Sequence, residues 1–287
     1  MIQVSVIVPF HNSERYLRQC IEGLVSQSYP PDRFEILMIN NNSADSSAEI
    51  VRQYPRIRLL SEPRQGAYAA RNRGLREARG EIIAFTDADC IPSDRWLQEI
   101  AAAMERSDIG IVLGNRQIGD NSFLLSLLAA YEHEKHKYVF TNDVKELYYG
   151  HTNNMAVRRN LFDELGPFVE QARGSDTIFV RRAVDRYSCA TVQYIPEMQV
   201  QHREIDSVGK FYQKVFTYGR SSRGYSRIVR TKMLSNRERV LVYCRAVRTQ
   251  RYSWLESAIL LGLLSAGSLF WILGNAGGLR QRQENPS

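Results

Sequence analysis

The chain predicts an α/β protein, a doubly wound and mostly parallel sheet with a helical, hydrophobic C-terminal extension. Three observations carry that prediction. Short apolar strand patterns alternate with amphipathic helix patterns through residues 4–113. One of those strands, residues 82–85, has the composition of a strand buried on both faces and runs at once into Asp87-Ala88-Asp89. Farther on, residues 257–279 carry no charge.

The elements follow in order. Residues 4–8 form a β-rich apolar run ended by Pro9, and Leu17, Cys20, Ile21, Leu24 and Val25 then repeat at the spacing of one buried helical face, with Ser13 in N-cap position. A second strand over 34–39 runs into Asn40-Asn41-Asn42, followed by a helix over 45–54 and a third strand over 57–60. Gly66 opens a helix that Gly80 closes. The strand at 82–85 precedes a helix over 94–104, and 109–113 reads as a fifth strand. Beyond Gly114 the pattern is less regular. Helices are expected over 123–140, over 158–165 and after Gly174, an extended segment over 150–157, two strands over 190–195 and 198–202 flanking Pro196, and helix through most of 206–251. This order divides the chain into residues 1–114, 115–205, 206–254, 255–279 and a polar tail, 280–287.

In an open α/β sheet, ligands bind just past the carboxyl ends of the strands. An acid-x-acid pair placed there offers oxygen ligands to a hard divalent cation, although isolated aspartates at a strand end also serve as solvated turn residues. A dinucleotide fold would put a glycine fingerprint after the first strand, where this chain has Pro9-Phe10-His11-Asn12-Ser13-Glu14, so NAD and FAD are set aside.

The 287 residues suffice for one large α/β domain plus an appendage. The formal net charge is +7, but the basic residues form no nucleic-acid-like block, so no nucleic-acid partner is expected. Arginines thicken after Arg203, which suits a solvated helical face or a surface facing anionic lipid or phosphate. Cys20, Cys90, Cys189 and Cys244 are far apart with no Cys-x-x-Cys, which suits a reducing compartment and argues against zinc or disulfides. The amino terminus shows no secretory signal. The uncharged stretch reaches the roughly 20 residues a bilayer-spanning helix needs, with Trp254 and Trp271 suited to the interfaces. A helix buried against the globular part fits the same composition.

Several motifs in succession resemble family 2 glycosyltransferases of the GT-A fold: VSVIVPFHNSERYL at 4–17, SQSYP at 26–30, EILMINNNSAD at 35–45, GAYAARNRG at 66–74, the DAD of 87–89 and GHTNNMAVRR at 150–159. The resemblance covers roughly residues 2–220. It implies an inverting enzyme that moves a sugar from a nucleotide-diphospho-sugar to an acceptor hydroxyl with Mn²⁺ or Mg²⁺. It implies that Pro9, His11 and Glu14 pack around base and ribose, that Asn40 stands where the family usually has a base-binding aspartate, and that Asn42, Arg71 and Ala88 add contacts. Asp87 and Asp89 match the family's DxD, with Asp89 holding the metal and Asp87 on ribose or a metal-bound water. Asp176 matches the catalytic base, with Ser175 replacing the usual acidic neighbour, and His202 matches a histidine that completes the metal site. The stretch 218–223 would supply a mobile basic loop closing on the diphosphate, or equally a solvated helix end. The expected acceptor is a glycan or lipid-linked hydroxyl, used in cell-envelope polysaccharide or glycolipid assembly at the cytoplasmic face of the cell membrane. Two alternatives stay open: a non-catalytic nucleotide- or glycan-binding membrane scaffold, and a sugar-phosphate nucleotidyltransferase, whose glycine-rich first loop is missing here.

Overall fold

Strand β1 (Val4–Phe10) is buried along its whole length because each face meets a layer of helices. On one face Val4, Val6 and Val8 join Leu17, Ile21 and Leu24 of helix α1 (Glu14–Val25). On the other, Ile7 joins Tyr68 and Ala70 of α3 (Ala67–Glu77). The alternation of strand side chains thus divides one apolar run between two cores. The computed structural model describes residues 2–118, 122–171, 173–226 and 228–283, so residues 284–287 of the expected polar tail lie outside the described residues.

The described residues form one eight-stranded sheet. Its strands are β1, β2 (Phe34–Asn40), β3 (Ile57–Ser61), β4 (Ile82–Thr86), β5 (Cys90–Pro92), β6 (Ile111–Ile118), β7 (Asn154–Arg158) and β8 (Val192–His202). They lie in the order β3-β2-β1-β4-β7-β6-β8-β5. The first four are parallel, and β6 is parallel to β8. Strand β7 enters antiparallel between β4 and β6, and β5 lies antiparallel on β8. The mostly parallel, doubly wound expectation therefore holds. The chain leaves β1 toward β2 and β3 and returns to β4 on the other side, so the sheet reverses its winding between β1 and β4. Such a switch point opens a crevice between the loops after the two strands.

Two local expectations change. The strands expected at 190–195 and 198–202 are one strand, β8, which stays in register with β6 across Pro196 by bulging: Gly114 pairs with Ile195, and Asn115 already pairs with Gln199. Proline has no N–H for the ladder, so a bulge is where a strand tolerates it. Gly114, the expected boundary between two halves, lies inside β6 at that bulge. A Cβ there would stand 2.2 Å from the Met198 carbonyl oxygen and 2.3 Å from Asn154 Nδ2. Asn154 pins the same spot, donating to the carbonyls of Asn115 and Met198 while its Oδ1 accepts from Trp96 Nε1 of α4 (Trp96–Ala103).

The C-terminal helices are α8 (Val208–Tyr225), α9 (Asn236–Gln250) and α10 (Trp254–Gln283). Of the two readings of 218–223, a basic loop or a helix end, the chain takes the helical one, within α8, and Arg223 donates to Asn275 of α10 at 2.6 Å. A Cβ on Gly219 would stand 2.3 Å from the Trp271 carbonyl oxygen, and one on Gly274 2.1 Å from that of Phe216. Two glycines thus bring the backbones of α8 and α10 into direct contact, and Tyr212 stacks on Phe270 beside them, centroids 4.9 Å apart. Residues Trp254–Ala276 of α10 are long and apolar enough to cross a membrane, and 11% of their most apolar window is buried, unlike a core helix.

Candidate active site

Because β1, β2 and β4 are parallel, their carboxyl ends open at one edge of the sheet, around a cleft of about 740 Å³. That volume is in the range of small-molecule sites. Pro9 near the end of β1 and His11 just past it, Arg71 of α3, Asp87, Ala88 and Asp89 after β4, and His202 at the end of β8 all line it. His11 Nδ1 donates to the Asn41 carbonyl oxygen at 2.8 Å, which leaves Nε2 as the acceptor.

Glu14, Asn40 and Asn42 do not line the cleft. The Glu14 carboxylate accepts from the Ser46 N–H at the start of α2 (Ser47–Arg52), while Asp45 accepts from the Glu14 and Ser47 N–H groups. These two acids satisfy helix-terminal donors that would otherwise be orphaned, in place of the base or ribose contact expected of Glu14. Asn40 Oδ1 accepts from the Ser43 N–H at 2.9 Å, closing a local turn. Asn42 is exposed at φ 64° and donates to the Pro63 carbonyl. The residue of this run that reaches the cleft is Asn41.

Asp89 and His202 meet because β5 pairs with β8 in a register that sets Cys90 opposite His202. The Arg203 N–H donates to the Asp89 carbonyl, and Asp89 Oδ2 lies 3.6 Å from His202 Nε2. Among the described residues, Asp89, Cys90 and His202 bring one ligand atom each within 4.8 Å of one another. Two ligands at about 2.1 Å on an octahedral ion stand about 3 Å apart, so the carboxylate–imidazole pair needs little adjustment. Buried His202 Nδ1 has no hydrogen-bond partner. Oxygen and imidazole suit Mn²⁺ or Mg²⁺ better than a thiol does, and burial holds the Cys90 thiol protonated. The donor set fits the implied metal. Burial, followed by the charge of Asp87, pushes Asp89 up to about 7, while burial and then Lys214 keep His202 neutral.

Asp176 does not line the cleft, but its neighbours Asn153 and Arg173 do. It sits in the first turn of α7 (Ser175–Arg186), where its carboxylate accepts from the N–H groups of Thr177 at 2.8 Å and Thr152 at 3.2 Å. Burial raises its pKa, partly offset by the Thr177 N–H and the charge of Arg71. Arg71 bonds Asp87 at 2.5 Å, so the guanidinium whose charge acts on Asp176 is held by a strand-end acid. Its Nε and the Asn153 Oδ1 are buried without partners in the same wall. Ser175, in place of a second acid, donates to the Val169 carbonyl and holds the loop before α7.

The residues missing from the sequence reading lie on α8. Lys210, Gln213, Lys214, Thr217 and Tyr218 line the cleft, and Lys214 reaches the end of it where His202 meets Asp89. Their spacing of three and four repeats one helical face, a signal present in the sequence but mixed with the second face that packs on α10.

Comparison with known proteins agrees with this geometry. The chain is 32% identical over 193 residues to the glycosyltransferase AglE of Haloferax volcanii, a match covering 63% of this chain and 61% of that protein. It spans 32% and 40% of the next two curated relatives, from Bacillus subtilis and Streptococcus pneumoniae. Among solved structures, the mannosyltransferase PcManGT of Pyrobaculum calidifontis, in complex with GDP-Man and Mn²⁺, superposes with a TM-score of 0.64 at 18% identity, covering 96% of this chain and 87% of that one. TarS of Staphylococcus aureus with UDP superposes at 0.57 with 19% identity, covering 88% and 73%. These two likenesses show the GT-A fold. The model of Glycosyl transferase family 2 matches residues 5–166, from the first strand through the antiparallel one that follows the DxD loop, and by that match over more than half its length this chain belongs to the family.

Proposed function

We propose that the protein is a glycosyltransferase that moves a sugar from a nucleotide-diphospho-sugar to an acceptor hydroxyl, with inversion at the anomeric carbon. The observation that carries this reading is the convergence of Asp87, Asp89, Arg71 and His202 on one cleft, with the buried, raised-pKa Asp176 next to its lining residues Asn153 and Arg173 and within the field of Arg71. Donor complexes of the structural neighbours, GDP-Man with Mn²⁺ in one and UDP in another, support the same class of ligand. In this reading Pro9, His11 and Asn41 border the base and ribose. Asp87 orients Arg71 toward the diphosphate side, and Arg71 Nε and Asn153 Oδ1 offer the donor unpaired polar atoms. Asp89 and His202 would hold Mn²⁺ or Mg²⁺, which supplies Lewis-acid stabilisation of charge on a leaving diphosphate. Asp176 would take the acceptor's proton. Its raised pKa makes it a better base than an ordinary carboxylate.

The acceptor is assigned by its surroundings. The helix lining the cleft is back to back with α10, whose outer face carries Leu269, Ile272 and Leu273, each at least half exposed. A lipid-linked or membrane-proximal glycan fits this arrangement, which supports our reading of an enzyme working at the cytoplasmic face of the membrane in cell-envelope glycan assembly. Incubation with a panel of UDP-, GDP- and dTDP-sugars and Mn²⁺ tests the reading. Slow hydrolysis of one donor is expected, and its first-formed sugar should have the anomeric configuration opposite to the donor's. Binding with no turnover of any donor, with or without acceptor, would instead mark a scaffold.

A further inference from the structure

The cleft holds a cation of its own. Lys214 of α8 places its ammonium 2.7 Å from Glu204 Oε2 and 3.0 Å from His202 Nε2, beside Asp89. An ammonium has donors and no lone pair, so in this contact His202 Nε2 must accept, with its proton on the buried Nδ1. Imidazole Nε2 has a single lone pair. It can accept from Lys214 or ligate a metal ion, but not both at once. The imidazole is 2% exposed and the Lys214 side chain 27%, so the ring is fixed and the lysine, on a flexible four-carbon stem, is the partner free to move.

Resting on the donor-binding reading above, we propose that Lys214 is a tethered cation occupying the metal position at Asp89 and His202, held there by Glu204. The divalent ion enters by displacing it, and the released ammonium pairs with the donor's diphosphate. The charges of the cluster support this: two carboxylates face one neutral imidazole, one ammonium offsets only one of them, and a divalent ion would offset both. Lys214 lines the same cleft as Asp87 and Arg71, so a diphosphate there gives the displaced ammonium a charge-assisted partner. Metal and nucleotide are then coupled through one side chain, and such a coupling is reciprocal. Lys210 provides an internal contrast. It lines the cleft one helical turn away but is paired with Asp206 at 2.6 Å, off the metal cluster.

The test is Mn²⁺ binding to the full chain, followed by electron paramagnetic resonance, with and without UDP or GDP. Lys214→Met is expected to bind Mn²⁺ alone about tenfold more tightly than wild type, and to lose most of the extra gain that the nucleoside diphosphate gives the wild type. Lys210→Met should leave the Mn²⁺ affinity within about threefold, at most about half of that effect in free energy. Unchanged or weaker Mn²⁺ binding by Lys214→Met overturns the proposal, and so does an equal tightening in Lys210→Met, which would reduce the effect to general charge removal. Lysine labelling of the wild type gives a second reading that needs no variant. Reductive methylation at Lys214 should rise when Mn²⁺ is added, and an unchanged yield contradicts the exchange. A chain that binds neither UDP nor GDP defeats the donor reading in the nucleotide arm, while the Mn²⁺-only arm still decides the role of Lys214.

Discussion

Asp176 is held where an ionised carboxylate is disfavoured, and a base benefits from that. Its pKa is raised above 3.8 by burial, so the folded state binds the proton more tightly than the unfolded chain does. The stability linked to this proton is fully present below the ordinary carboxyl pKa and is lost as pH rises through the folded value. At neutral pH the ionised group is therefore a cost to folding. Asp176→Asn is expected to melt at or above the wild-type temperature at pH 7 in calorimetry, with the difference closing toward pH 3.8. The acid limb of the wild-type pH–rate profile should lie above 3.8 for the same reason. A variant that melts well below wild type at pH 7 would make Asp176 a structural cap. Asn154 is the opposite case, a fully satisfied buried amide joining β6, β8 and Trp96. Asn154→Ala strands the Trp96 N–H and two carbonyls, and denaturant unfolding should show a loss of at least about 1–3 kcal/mol. The DxD pair was legible at this scale because a strand signal and an acidic motif coincide in the sequence. Asn41 was not, since three adjacent asparagines look alike until the turn at Asn40 and the positive φ at Asn42 sort them.

At the scale of elements, α8 joins the chemistry to the extension. Its inner face presents Lys214 and Tyr218 to the cleft, and its outer face meets α10 through Gly219 and Gly274 with backbone on both sides. A side chain has no room there, because the colliding atoms are main-chain oxygens that cannot rotate away. Gly274→Leu should separate α10 from α8, increase proteolytic cleavage in the 251–254 connection and reduce turnover while leaving the DxD loop untouched. Unchanged cleavage and turnover would mean that the two helices do not depend on each other. The helix and strand periods gave most elements of the first half. They missed β5, three residues long, and the antiparallel course of β7, since direction in a sheet is decided by the connection and leaves no mark on the strand's own residues. Pro196 read as a break between two strands because the ladder that carries β8 past it belongs to β6.

For the whole molecule, one sheet, one cleft and one exposed apolar helix define the account. The fold and family could be read from ordered motifs, whereas the meeting of Asp89, His202 and Lys214 required the sheet to close with β8 and α8 to fold back over its edge. Exposure of α10 predicts that the full chain floats with liposomes containing anionic lipid, and that replacing Leu269 and Ile272 with asparagine abolishes flotation. Unchanged flotation of that variant would remove α10 from membrane attachment. The central claim is that donor binding and proton removal are separate tasks of one site. Calorimetric binding and turnover of the donor in Asp176→Asn, with Mn²⁺ present, test it together. Binding should stay within about threefold of wild type while transfer falls about 10²–10⁴-fold, the usual worth of a general base. Transfer at the wild-type rate by that variant would contradict the assignment of the base and the account built on it.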